Sequence, residues 1–384
     1  MNEISKYLYS KIRKLSRKSL VPLHEPIFSK DEKTFLNRCI ESSYVSSAGK
    51  NIFLFEKKIK EITKSKYAVA VVNGTSALFL ACKALKINKD HEVLVPSMTF
   101  IGTVNAISYC DAKPHFVDVE SENLGIDFKK LDNYLSKILY IKKNYSINKK
   151  TKKIIKFIIP VHLFGHPCKI KECVDLAKKY KLTIIEDAAE ALGSYYKKKH
   201  VGTFGLVGII SFNGNKIITT GGGGVIITNS KKLAESIRHL STTAKTKNKL
   251  QLSHDLIGYN YRMPNLNASL GCAQLKKLNF FLKRKRALVK KYSQIFKNNR
   301  YFEIFYEKKF CKSNYWLQTI ILRKKYSLYK NNVITDLNKK KIQVRPVWKL
   351  IHSLKPYNKM PKMNLDNSKR LYKSIINIPS SANL

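Results

Sequence analysis

At 384 residues, 44% of them hydrophobic, the chain can bury a full core and hold one large domain plus a smaller one. No apolar run approaches the roughly 18 residues of a membrane-spanning helix, and the longest candidate, residues 154–164, is interrupted by Lys156 and Pro160; a soluble, cytoplasmic protein is expected. The formal net charge of +47 is spread along the whole chain without an RNP-like, zinc-finger or helix-turn-helix signature, which argues against a nucleic-acid partner and suits a polyanionic small substrate such as a nucleotide diphosphate.

Residues 1–20 place Ile4, Tyr7, Leu8, Ile12 and Leu15 at helical spacing among lysines and arginines. Terminal charge runs are usually solvated, so this stretch reads as a loosely attached basic lead rather than a helix lying on a membrane. Apolar residues three and four apart predict helices over 31–42 and 53–64. A short apolar strand over 67–72 then runs into Asn73-Gly74-Thr75-Ser76-Ala77, and helical character resumes over 78–85. A strand, a Gly-Thr-Ser turn and a helix offer the backbone and hydroxyls of Gly74, Thr75 and Ser76 to a phosphate. A plain N-cap by Thr75 or Ser76 has the same pattern.

Further strands are predicted over 92–96, 114–118, 154–161 and 182–186, with helices over 101–109 and 170–180 between them. The lysine-rich residues 142–153 read as an exposed loop insertion. Seven cysteines without a CxxC pair imply reduced thiols, and the spacing of Cys168 and Cys173 beside His162 and His166 fits no common zinc pattern, so no metal is expected. Alternating strands and helices predict an α/β fold with a mostly parallel sheet whose ligands sit at the carboxyl ends of strands. Gly74, Phe100, His162 and Asp187 all fall at such ends.

Asp187 follows an apolar strand and precedes small residues, a position from which its carboxylate can hold a protonated heterocyclic nitrogen; capping the next segment is its simpler role. Lys216 lies between the strand-like run 207–212 and the turn Gly221-Gly222-Gly223-Gly224. Such a turn lets backbone approach a ligand closely, and a lysine there can be desolvated into a nucleophile toward carbonyls. An acid for a pyridinium and a lysine for a Schiff base are the two groups that pyridoxal 5'-phosphate requires. Beyond residue 268 a helix is predicted over 269–278, a long lysine-rich helix over 279–297, and strands over 315–322 and 341–344. The chain therefore divides into the lead 1–20, a large domain 21–275 and a small C-terminal domain 276–384.

These residues resemble the DegT/StrS-type sugar aminotransferases, pyridoxal-phosphate enzymes of the aspartate-aminotransferase fold (fold type I). The resemblance runs from about Leu23 to the C-terminus. Its markers are the 73–77, 96–100, 160–167 and 186–189 motifs, the 211–224 segment, and Gly258-Tyr259-Asn260-Tyr261-Arg262. It implies a seven-stranded, mostly parallel sheet in the large domain and an α+β small domain. It also implies Lys216 as the cofactor-bearing lysine and Asp187 on the ring nitrogen. Phe100 stacks on the ring, Gly74, Thr75, Ser76 and Ser211 surround the phosphate, and Glu190 stands near the cofactor hydroxyl. Asn260 and Arg262 resemble residues that reach a neighbouring subunit's site, which implies a homodimer with shared active sites.

For substrate the resemblance implies His162, Arg345, Trp348 and His352, with packing between domains as the competing role for Trp348 and a satisfied histidine at a strand end as the simpler role for His162. Leu23-His24-Glu25-Pro26 and Thr220 to Gly224 are most similar to the branch that aminates nucleotide-linked 4-keto-6-deoxy-N-acetylhexosamines on the route to legionaminic acid and related sugars. The implied reaction is transamination from L-glutamate to C4 of that ketosugar. A same-fold enzyme for a 3-ketosugar or cyclic polyol is the alternative, and a non-catalytic basic binding protein the remote one.

Overall fold

Short runs rich in valine and isoleucine set the strands, and their alternate residues divide between two faces. The computed structural model describes residues 1–143, 145–246 and 253–384. In chain order the strands begin with β1 (Tyr67–Val71), β2 (His91–Pro96), β3 (Lys113–Val117), β4 (Leu139–Lys142), β5 (Tyr145–Asn148) and β6 (Ile154–Ile158). They continue with β7 (Thr183–Asp187), β8 (Tyr195–Tyr196), β9 (Lys199–His200), β10 (Val207–Ser211) and β11 (Gly224–Thr228). Seven of these form the body of one sheet in the order β1-β11-β10-β7-β6-β2-β3. From β10 to β3 neighbours run parallel, while β11 is antiparallel to both β1 and β10. The expected mostly parallel seven-stranded sheet is present.

Among the described residues ten α-helices precede the second sheet: α1 (Glu3–Arg13), α2 (Lys30–Glu41), α3 (Lys50–Thr63), α4 (Gly74–Ala84), α5 (Ile101–Ser108), α6 (Phe128–Ile138), α7 (Ile170–Lys179), α8 (Lys231–Ser241), α9 (Asn265–Lys276) and α10 (Leu278–Ile295). Val69, Val71, Val207, Ile209 and Ile226 face Leu80 of α4, Ile107 of α5, Leu131 of α6 and Ile237 of α8. Ala68, Ala70, Ile210, Val225 and Ile227 face the other way, toward Phe55 of α3 and Ala268 and Cys272 of α9. Alanines on that second face let α3 approach β1 closely.

The remaining elements are β12 (Phe302–Ile304), β13 (Cys311–Lys312), β14 (Gln318–Leu322), α11 (Lys330–Lys339), β15 (Arg345–Pro346), α12 (Asp366–Tyr372) and β16 (Ile375–Ile378). Strands β12-β14-β16-β15 make a second, antiparallel sheet, and β13 extends the β8-β9 ribbon. A cluster containing Leu23, Val161, Phe164, Trp316, Leu317 and Val347 fills the space between the two sheets. Among the described residues no helix is long and apolar enough to cross a membrane.

Three expectations are corrected. Residues 1–20 are no loose lead: Asn2 caps α1, and Ile4, Leu8 and Ile12 are buried with Tyr292, Ile320, Val333 and Ile378 in the core of the small sheet. Their three- and four-residue spacing is an inward apolar stripe, with the charges turned outward. Residues 142–153 are not wholly loop, because β4 and β5 pair as a hairpin that buries Ser146 and Asn148 and joins β6 at Ile147↔Ile154; Asn144 lies outside the described residues. No strand covers 341–344. Ile342 makes a single bridge to Val21, and the ladder starts at Arg345, opposite Asn377.

Candidate active site

The carboxyl ends of β1, β2, β7 and β10 meet at one cavity of about 370 Å³. Its lining contains Gly74, Thr75, Phe100, Asp187, Glu190, Ser211, Lys216, Arg345 and Trp348. Most of the predicted residues are therefore brought together from segments far apart in sequence.

At the end of β1, Asn73 rather than Thr75 or Ser76 is the N-cap of α4, its Oδ1 accepting from the Ser76 N–H at 2.7 Å. Ser76 is used up locally and lies off the cavity, while Gly74 and Thr75 face it. The first N–H groups of a helix have no partner within it, and the helix dipole favours an anion there. Close backbone approach makes the turn possible: a Cβ on Gly224 would lie 2.4 Å from the Asn73 carbonyl oxygen, and one on Gly74 3.1 Å from Ser211 Cβ.

Asp187 ends β7 and is buried. Its Oδ2 accepts from Thr103 Oγ1 at 2.7 Å and its Oδ1 from the Ala189 N–H at 3.1 Å. Thr103 in turn lies 3.1 Å from Thr99 Oγ1. Among the described residues Asp187 has no ion-pair partner, so its charge is oriented by neutral donors and left for something cationic in the cavity.

Lys216 Nζ lies 3.5 Å from Glu190 Oε1 and 3.8 Å from the centroid of the Trp316 ring. Burial pushes the Lys216 amine below its ordinary value, with Glu190 and Asp187 opposing that shift. Burial also raises Glu190, to about 7, against the pull of Lys216 and of the Phe164 N–H that donates to its Oε2 at 2.7 Å. Taking each group out of water disfavours its charged form, so both move toward neutrality.

Phe100 keeps 49% of its surface exposed on the cavity. Its edge meets Trp348, with ring centroids 5.9 Å apart, and Trp348 stacks on Phe164 at 5.7 Å. Trp348 thus both lines the cavity and packs between the sheets. Arg345 projects from the edge strand β15, and its guanidinium makes no ion pair among the described residues.

Residues 26–384 match the DegT/DnrJ/EryC1/StrS aminotransferase family. The chain belongs to this family. Its chemistry is pyridoxal-phosphate-dependent transamination. Among similar proteins, a GDP-perosamine synthase of Escherichia coli O157:H7 is 38% identical over 88% of this chain and 87% of its own length. A UDP-4-amino-4,6-dideoxy-N-acetyl-beta-L-altrosamine transaminase of Campylobacter jejuni is 33% identical over 87% and 86%. The structure of Helicobacter pylori PseC, an aminotransferase involved in the biosynthesis of pseudoaminic acid, covers 95% of both chains with a TM-score of 0.86 and 26% identity.

Two predicted substrate residues lie away from the cavity. His162 is fully buried; its Nε2 is 3.0 Å from Glu186 Oε2, and its Nδ1 accepts from the Cys168 N–H at 3.2 Å. Glu186 is itself ringed by the N–H groups of Gly202, Phe204 and Gly205, so this is a satisfied structural network and Val161 is the neighbour that lines the cavity. His352 turns its Nδ1 to Ser97 Oγ at 2.6 Å and packs near Phe116.

Asn260 and Arg262 also lie off this cavity. Asn260 is exposed and bridges Thr242; Arg262 sits over the Phe53 ring at 5.6 Å, with its Nε buried and unpartnered. Conversely, the cavity includes Asn73, Thr103, Asn213, Asn215, Trp316 and Asn377, which sequence reasoning did not single out. Thr103 could have been found, since it stands one helical turn after Phe100. Trp316 and Asn377 arrive from the second sheet with no local signal.

Proposed function

We propose that the chain aminates a nucleotide-linked ketosugar, moving an amino group from L-glutamate to C4 of a 4-keto-6-deoxyhexose. The observation that carries this reading is one cavity that holds a desolvated lysine, a carboxylate with no ion-pair partner among the described residues, and Gly74 and Thr75 at the N-terminus of α4. These three features fit the carbonyl, the ring nitrogen and the phosphate of pyridoxal phosphate respectively. The half-exposed face of Phe100 suits its ring.

When bound, that cofactor supplies a carbonyl for amines and a conjugated ring that takes up the electron pair freed by deprotonation. With the cofactor in place, Lys216 Nζ would be the base that takes the proton from the donor's α-carbon and, in the second half-reaction, the acid that gives a proton to the carbon receiving the amine. Asp187, fixed by Thr103, holds the proton on the ring nitrogen. Glu190 Oε1, 3.5 Å from Lys216 Nζ, favours the protonated amine when ionised and so biases how readily the amine is free. Arg345 has the planar donors suited to a diphosphate or carboxylate, and Trp348, backed by the buried Phe164, gives the sugar an apolar wall.

N-acetylated substrates are the branch that the Leu23 to Pro26 and Thr220 to Gly224 motifs favour. The greater identity to a GDP-perosamine synthase, 38% against 33% for the UDP-linked transaminase, supports a GDP-linked sugar as the second reading. We further propose a homodimer in which Asn260 and Arg262 complete the partner's site, since neither serves the cavity of its own chain.

The test is turnover with L-glutamate and, in turn, UDP- and GDP-linked 4-keto-6-deoxyhexoses, with and without the N-acetyl group. One of these is expected to be aminated by the wild-type protein and by none of the Lys216→Ala protein, which keeps its fold. Normal turnover by Lys216→Ala would sink the reading.

A further inference from the structure

Lining a small pocket together with Lys216, His24 and Ile217 is a second lysine whose role the transamination chemistry leaves open. Lys285, on α10, is fully buried and pairs with no carboxylate among the described residues. Its Nζ donates to the carbonyl of Trp316 at 2.7 Å and to the carbonyl of Ser380. A buried amine is costly to desolvate, and a core position of this kind is ordinarily filled by leucine or methionine.

What Lys285 grips is the segment that covers Lys216. Trp316 Nε1 donates to the Asn215 carbonyl at 2.5 Å, and the Trp316 N–H donates to Asn314 Oδ1 at 2.8 Å. Asn314 Nδ2 reaches the Glu190 carbonyl at 2.9 Å. The indole is therefore fastened to the residue before Lys216 and, through Asn314, to the loop that bears Glu190. Its face meets Lys216 Nζ at 3.8 Å, within the range of a cation–π contact. The charged and titratable groups around this arrangement are Glu190, Asp187 and Arg345 across the cavity and His24 and Glu25 beside both lysines.

We propose that Trp316 is a positioning residue for Lys216 and that Lys285 is its anchor. The buried amine fixes the backbone at Trp316, and the indole face holds Lys216 Nζ at the cavity wall while keeping water from it. This rests on the reading of Lys216 as the reactive amine. It adds that the amine's reactivity is set from the small sheet.

The experiment uses the full chain freed of cofactor, so that its outcome is independent of whether Lys216 carries one. Reductive methylation of Lys216 is followed by peptide mass spectrometry across neutral to alkaline pH. Trp316→Leu keeps the site dry but removes the ring quadrupole. Its Lys216 labelling midpoint is expected to fall by up to about one pH unit. Lys285→Met is expected to move the midpoint in the same direction, and the double variant no further than Trp316→Leu alone.

A second readout spares Lys285. The chain has two tryptophans, so Trp348→Phe leaves Trp316 as the sole indole. Its emission is expected to titrate with Lys216 and to lose that transition in Trp348→Phe/Lys216→Met. An unchanged midpoint in Trp316→Leu, or an emission indifferent to Lys216→Met, would overturn the proposal. A Lys285→Met protein that folds, melts lower and leaves the Lys216 midpoint in place would reduce Lys285 to a structural role and overturn the anchor.

Discussion

Thr103 Oγ1 donates to Asp187 Oδ2 across 2.7 Å, tying the first turn of α5 to the end of β7. The hydrogen bond crosses from one strand-loop-helix unit to another and aims a carboxylate that has no cationic partner among the described residues. Thr103→Val is expected to lower kcat/KM by roughly tenfold, the scale of a hydrogen bond to a charged group. Asp187→Asn removes the charge itself and is expected to cost about 100-fold or more. Steady-state kinetics with saturating cofactor decide both; a Thr103→Val enzyme as impaired as Asp187→Asn would contradict the division of roles.

Glu190 should leave a mark on stability as well as on chemistry. Its folded-state pKa is raised from 4.5 to about 7, so the folded protein binds this proton more tightly than the unfolded chain does. The stability it contributes is then present below pH 4.5 and is lost as pH rises through about 7. Glu190→Gln removes that loss. Denaturant midpoints at pH 5 and pH 8 should show the variant gaining about 1–3 kcal/mol on the wild type between the two values.

Gly224→Ala tests the cradle at the N-terminus of α4. Its new methyl would press on the Asn73 carbonyl oxygen at 2.4 Å, a contact that backbone must move to relieve. We expect a destabilisation of about 1–3 kcal/mol and weaker cofactor binding in a spectrophotometric titration. The same substitution at Gly214, whose Cβ would meet nothing nearer than 3.9 Å, is the control and should bind cofactor normally.

If Arg262 serves the partner's site, two inactive proteins should rescue each other. A mixture of Lys216→Ala and Arg262→Ala subunits, unfolded and refolded together, would contain heterodimers with one intact site and recover up to about a quarter of wild-type activity. Recovery indistinguishable from zero, with heterodimers demonstrated by mass, would assign Arg262 to its own chain.

The residues proposed for the chemistry were legible because each stands at a strand end or in the few residues that follow one, where a local pattern of apolar run, small residue and polar residue is enough. Lys216, Asp187, Phe100 and Gly74 are of this kind. The same pattern does not separate a site residue from a structural one: His162 also follows a strand, and Glu186 absorbs it as the satisfied histidine that was its simpler role. Trp316, Asn377 and Arg345 share the cavity only because β14, β15 and β16 pair beneath it. Pairing between strands roughly 30 to 60 residues apart leaves no local trace. The lead was misread for a related reason, since its stripe of Ile4, Leu8 and Ile12 acquires a partner only from the far end of the chain.

Leu8 supplies the corresponding stability test. It is fully buried against the small sheet, and Leu8→Ala is expected to cost about 2–4 kcal/mol in urea denaturation. A loss below about 0.5 kcal/mol, the scale of surface substitutions, would return residues 1–20 to the solvent.

That same packing makes α1 wait. During synthesis it leaves the ribosome ahead of every strand, yet the surfaces it needs, on α10, α11 and β16, are among the last to emerge. Throughout that interval the nascent protein trails an amphipathic, strongly basic helix with nothing to cover its apolar side. Closing the molecule therefore brings α1 back to segments made about 300 residues later, and the core of the small sheet that carries Arg345 to the cavity is complete only when α1 has docked on it.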